Sequence, residues 1–184
     1  MKISDGEKLI LLMLSELYDR LEINGEIESE FIRSAIFSNN IWAIPWKYSG
    51  IPFEDQDDPE IVKEVLDILG MWSSIEYSYE QLSEKEKEYL QETVAKPFGE
   101  NPKFPGFDGN NESSYMGIAS FIVNELDRFE EFKGRNFNSH FPSLDGHERM
   151  LNMFKEIQET MNFGPLSVED LAKILKERIH PSRR

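Results

Sequence analysis

The sequence predicts an all-α protein built as one domain of about seven helices. Apolar residues recur at three- and four-residue spacing along most of its 184 positions, and Ser–Glu pairs of capping-box spacing mark helix starts. No segment sustains the alternation of a strand. The first helix opens at Ser4 and Glu7, where each side chain satisfies an amide at the helix start. Ile10, Leu14, Leu17, Tyr18 and Leu21 form its expected inward stripe, and Asn24-Gly25, a pair that accepts left-handed backbone, stops it. A second helix over about 28–38 turns Phe31, Ile32 and Ala35 inward. The stretch 41–53 then sets Trp42, Trp46, Tyr48 and Phe53 among Pro45 and Pro52. The prolines break regular structure while the aromatics need cover, so this is a packed insert with at most one short helical turn.

Asp58-Pro59 starts a long amphipathic helix, with Asp as cap and Pro at the first helical position. Its stripe is Ile61, Val65, Ile68, Leu69, Trp72, Ile75 and Tyr79. Ser83-x-x-Glu86 opens a short charged helix to about Thr93. Residues 96–111 hold three prolines, three glycines and three phenylalanines, a Gly/Pro-rich loop before the fifth helix. That helix runs over 112–129 with Tyr115, Ile118, Ala119, Ile122, Leu126 and Phe129 on one face. A sixth, over 144–161, carries His147, Met150, Leu151, Phe154, Ile157 and Met161, and Ser167-x-x-Asp170 begins the last. Its apolar residues are Val168, Leu171, Ala172, Ile174, Leu175 and Ile179. The domain is expected to span 1–180, with 181–184 as a basic tail.

Thirty-five acidic against 20 basic residues leave a net charge of −15, which disfavours nucleic acid and anionic membrane as partners. A hydrophobic content of 39%, with 12% aromatics, is enough for a sizeable core. The absence of cysteine removes disulfides, thiolate metal sites and a cysteine nucleophile. The apolar run from Leu9 to Leu14 is far shorter than the roughly 20 residues of a membrane span, and no export signal opens the chain, so the expected compartment is the cytoplasm. Residues 54–92 hold 13 acids against three lysines, a local net of −10. The C-terminal end, with Lys173, Lys176, Arg178, Arg183 and Arg184 against Glu177, is basic. These segments are either a solvated face and a tail or complementary surfaces between subunits.

Chemistry has one candidate region: Phe107, Asp108, Asn110, Asn111 and Glu112 with Arg128, and Arg135, Asn138, Ser139 and His140. The first group fails the spacing of an EF-hand calcium loop. It reads as a helix cap by Asn110 or Asn111 with Glu112 at the positive helix end, or as an anion, small-ligand or metal site. His140 is the candidate acid–base group; His147, on an apolar stripe, is better placed as a hydrogen-bonded core histidine. An 18-residue helix is roughly 27 Å long, so the two stretches meet only if the chain doubles back after Phe129, where Lys133-Gly134-Arg135-Asn136 is turn chemistry. No nucleophile elbow, phosphate loop, dinucleotide fingerprint or histidine metal spacing is present, so no cofactor or metal is expected. Trp42, Trp46, Tyr48, Phe53 and Trp72 either form a recognition or subunit contact or plug the end of a helical bundle.

Leu9-Ile10-Leu11, Met71-Trp72, Phe104-Pro105-Gly106-Phe107-Asp108 with Glu112, and Met150-Leu151 make the chain resemble the YfbU family. The likeness reaches to about residue 160, and the Gly-Phe-Asp turn before a polar helix start is its most specific part. It implies a small, mainly helical bacterial protein of the cytoplasm and brings no catalytic residue with it. The leading expectation is a protein that acts through protein contacts, self-associating or binding another protein. The alternative is a hydrolase or small-ligand or anion binder using the Gly106–Glu112 turn with Arg128 and His140.

Overall fold

Residues 2–54, 57–160 and 164–183 are described by the computed structural model. They form eight α-helices: α1 (Asp5–Arg20), α2 (Ser29–Phe37), α3 (Ala43–Lys47), α4 (Glu60–Gln81), α5 (Glu84–Thr93), α6 (Ser113–Asn124), α7 (Leu144–Thr160) and α8 (Val168–Lys176). Short 3-10 turns occupy Glu130–Phe132 and Pro181–Arg183. Among the described residues there is no strand, only an isolated parallel bridge between Phe107 and Asn138. The helix beyond the expected seven is α3, the single turn inside the aromatic insert. None of the helices is long and apolar enough to cross a membrane among the described residues.

α4 is the axis of the main core. Val62, Val65, Ile68, Leu69, Trp72 and Ile75 recur at helical spacing and are all at most 1% exposed. Against this stripe pack α6, α7 and α8. α4 begins one residue later than expected, because Asp58 is drawn away from capping and its carboxylate accepts from Trp46 Nε1 at 3.2 Å. Ser83 and Glu86 form a complete capping box on α5, as do Ser4 and Glu7 on α1, and the Ser167 hydroxyl accepts from Asp170 N–H at 3.1 Å on α8. Met161, expected to end the α7 stripe, and Arg184 of the tail lie outside the described residues.

Two expectations are corrected. The α1 stripe faces outward: Ile10, Leu14, Leu17 and Leu21 are 46–67% exposed, and the buried residue of this helix is Ser15. The run Leu9–Leu14 is apolar on every side, so periodicity alone could not choose the side that meets α2. Leu11, Ser15 and Tyr18 share that inner side. α6 ends at Asn124 rather than at 129, because Asp127 and Phe129 take left-handed backbone with φ of 52° and 55°. Leu126 and Phe129 still pack on the core from the turn that follows, which is why they continued the apolar pattern past the helix end.

A smaller core joins α2 and α3 to α6 through Phe31, Ile32, Ala35, Ala43, Ile44 and Phe121. Trp42 and Leu126 border both cores. The acidic α5 packs on α8, whose two acids, Glu169 and Asp170, balance its two lysines, Lys173 and Lys176. Leu69, fully buried on the α4 axis, reports on the main core. Leu69→Ala is expected to lower unfolding stability by about 2–5 kcal/mol in urea titration, and a loss under about 1 kcal/mol would contradict the packing described.

Candidate functional site

The two non-helical stretches meet. α6 is only 12 residues, roughly 18 Å, and the turn at Glu130–Phe132 sends the chain back along it. Phe107 N–H then donates to Phe137 O at 2.8 Å, and Ser139 N–H to Phe107 O at 2.9 Å. Gly106 is required here: its φ is +83°, and a Cβ would lie 2.1 Å from the Phe137 carbonyl oxygen. Asn138 Oδ1 fastens the other side, accepting from Gly109 N–H at 3.1 Å and His140 N–H at 2.9 Å.

Glu112 locks the assembly. Its carboxylate, 8% exposed in residue terms, accepts from the N–H groups of Asp108 (2.8 Å), Ser143 (2.8 Å) and Leu144 (2.9 Å), and the Ser143 hydroxyl lies 2.9 Å away. Burial pushes this carboxyl up, but the amides of Asp108, Leu144 and Ser143 together with the Ser143 hydroxyl outweigh it and hold it below the ordinary glutamate value. A glutamate at the start of α6 thereby caps the start of α7 from across the fold.

Beneath it runs a second buried chain of polar contacts. Trp72 Nε1–H donates to His147 Nδ1 at 3.0 Å, which leaves His147 Nε2 as the protonated nitrogen, donating to Gly106 O at 3.0 Å. Burial lowers the His147 pKa to about 4, outweighing the opposing Gly106 contact. His147 is thus a neutral, hydrogen-bonded core histidine, as its place on the α7 stripe implied.

Of the residues proposed from sequence, Phe107, Asp108, Asn110, Asn111, Glu112, Asn138, Ser139 and His140 come together. Phe107 is fully buried and Glu112 nearly so, whereas Asn110, Asn111 and His140 are exposed. Neither asparagine caps α6: Asp108 instead accepts from Asn110 N–H at 3.0 Å and Asn111 Nδ2 at 2.5 Å. Those two contacts, with a smaller contribution from nearby His140, hold the Asp108 carboxyl below its usual range. Arg128 and Arg135 are engaged elsewhere. The Arg128 guanidinium stacks 4.5 Å over the Trp46 ring, and Arg135 makes a two-pronged pair with Glu76 at 2.7 and 2.9 Å.

Glu76 is the member that sequence reasoning missed. It also accepts from Phe104 N–H at 2.8 Å and Lys103 Nζ at 3.0 Å, anchoring the start of the loop. Burial pushes its carboxyl up, yet Arg135, Phe104 and Lys103 bring it below the ordinary value. The signal was available, since Glu76 falls four residues after Trp72 on the buried side of α4. Ser143 was legible in the same way, as a serine immediately before a predicted helix start.

The serine hydroxyls of the arrangement are engaged within the loops. The Ser139 hydroxyl donates to Phe141 O at 2.6 Å, and the Ser143 hydroxyl lies between Gly106 O and Glu112. No cluster of three acidic or histidine side chains suited to a metal ion occurs among the described residues. As for the aromatic candidates, Trp72 is wholly buried and has no surface to offer a partner. Trp42, Trp46 and Phe53 line a groove of about 360 Å³, and the Tyr48 hydroxyl accepts from Glu28 N–H at 2.9 Å.

Fold and clasp together define a helical protein in which buried carboxylates organise loops. The chain belongs to the YfbU family, whose domain model matches residues 1–177. It is similar to a UPF0304 protein of Actinobacillus succinogenes, 24% identical over 180 residues covering 95% of this chain and 99% of that relative. A UPF0304 protein of Methanocaldococcus jannaschii is 32% identical over 96 residues, 50% of this chain and 53% of the relative, so that match spans about half of each protein.

The His147 geometry has a consequence for pH dependence. Because its folded pKa, about 4, lies below the unfolded value of 6.5, the fold selects the neutral ring. This contribution is complete above pH 6.5 and is lost as the pH falls towards 4, with on the order of 2 kcal/mol gone by pH 5. Urea unfolding at pH 7 and pH 5 is expected to show that loss in the wild type and a flatter dependence in His147→Gln. Equal slopes for the two proteins would mean that His147 is not held neutral.

Proposed function

We propose that the protein acts through protein contacts and that its first contact is self-association through α1. What supports the reading is one observation: a continuous apolar helix face left uncovered by the other described residues. Leu9, Ile10, Met13, Leu14, Leu17 and Leu21 are 46–67% exposed and fall within one sector of the helix, opposite the side that meets α2. Six half-exposed large side chains offer on the order of 600 Å² per copy, close to the roughly 800 Å² per partner of a standard interface once flanking residues are added.

The face itself favours a second copy as the occupant. The ends of α1 are already balanced on their own chain, Asp5 by Lys8 and Asp19 by Arg33, which leaves the apolar sector between them as the surface to cover. Two α1 helices packed antiparallel about a two-fold axis set that sector against itself and oppose their helix dipoles. The aromatic insert, with its rings half-buried on their own chain, plays no part in this seam. An apolar seam of this kind holds in high salt, unlike one made from the acidic and basic segments.

Light scattering after size exclusion is expected to give twice the 21.5 kDa chain mass at micromolar concentration. Leu14→Glu or Leu17→Glu is expected to give a monomer of unchanged helicity, because both side chains lie outside the cores. A wild-type monomer at these concentrations would sink the proposal.

A further inference from the structure

We propose that the cavity between the first turn of α7 and the segment after α8 binds a small organic anion, a carboxylate or phosphate carried on an aromatic or apolar group. The cavity holds about 310 Å³, the low end of the range for small-molecule sites. Phe98, Phe141 and Pro142 form apolar wall, His147 lies at its lining, and Arg178 supplies a cation.

The charge balance points to an anion. Arg149 is already satisfied, with one arm on the Asp145 carboxylate and Nε donating to Glu177 O at 2.9 Å. Arg178 is different. No carboxylate pairs with it among the described residues; its guanidinium lies 4.8 Å over Phe98 and 5.5 Å over Trp72. Burial lowers its pKa to about 10, and the one carboxylate lining the cavity, Asp145, is paired with Arg149. A half-buried guanidinium keeps five donors in a planar fork that matches a carboxylate or phosphate, and such a ligand restores the missing counter-charge. Phe141, 48% exposed at the cavity, is apolar surface that an aromatic ligand covers.

Nothing in this site overlaps α1, and either proposal stands if the other fails. The test titrates the full chain with benzoate, phenyl phosphate and inorganic phosphate, following the Trp72 indole N–H by NMR. Benzoate or phenyl phosphate is expected to bind saturably, at least tenfold tighter than inorganic phosphate, and the stronger of the two identifies the headgroup. Arg178→Met, which keeps the packing on Phe98 and Trp72, is expected to weaken binding at least tenfold. Gly146→Leu provides the same reading with the Arg178 guanidinium retained. A Cβ at Gly146 meets only ordinary contacts with Arg149 and Arg178 at 3.9–4.0 Å, so the longer side chain grows into the cavity. Lys63→Gln, on the exposed side of α4, controls for overall charge and should bind as wild type. Binding of inorganic phosphate alone, binding unchanged in Arg178→Met or Gly146→Leu, or no saturable binding overturns the proposal.

Discussion

The buried Glu112 carboxylate holds together parts of the chain that are not otherwise adjacent. It belongs to the start of α6 but satisfies the amides of Asp108 on one side and of Ser143 and Leu144 on the other. Each of these groups is buried or nearly so, and an unpaired amide there would cost about 1–3 kcal/mol. One side chain thus sets the phase of α7 relative to the 104–112 loop. That phase puts His147 between Trp72 and Gly106, which continues the same polar chain into the main core.

Glu76 does the corresponding work at the other end of the loop. It accepts from Phe104 N–H while Arg135 and Lys103 neutralise it, so the loop is tied to α4 before Gly106 and to α7 after it. Between these two anchors Phe104 and Phe107 are pressed into the aromatic packing around His147, with ring centroids 5.3–5.7 Å from the imidazole. The loop is therefore an internal structural element although it has almost no regular backbone. Among the described residues no buried side-chain polar atom is left without a partner. The exposed members of the clasp, Asn110, Asn111 and His140, ride on a framework whose hydrogen bonds point inward.

How much of this was legible in the sequence depends on the kind of signal. α8 was readable because a cap and an apolar stripe coincide, at Ser167 with Leu171 and Leu175, whereas α4 was legible from its stripe and α5 from the capping box at Ser83. α1 has as good a cap, yet its orientation was misread. A helix apolar on all sides shows that burial is available without showing which neighbour supplies it. The end of α6 was misread for a related reason: Leu126 and Phe129 stay at core spacing after the backbone has left the helix. In the site, the local turn chemistry of Gly106 and Gly109 was foreseeable, while the return of the chain was a condition that the turn residues 133–136 permitted without establishing. The partner of Arg135 was not, because Glu76 lies 59 residues away and only the packing of α4 against the loop brings them together.

With the interior this complete, unmet chemistry lies at the surface, and there in two forms of opposite character. Among the described residues, α1 presents apolar area without cover, while Arg178 has no carboxylate paired with it. The net charge of −15 describes neither place: the acidic excess is concentrated over 54–92. A cation retained beside two aromatic rings in so acidic a chain does not serve general electrostatic attraction, which the surrounding charge would oppose for any anion. It gains value only at short range, inside a cavity where apolar contact brings the ligand in and the guanidinium then meets it without competing water.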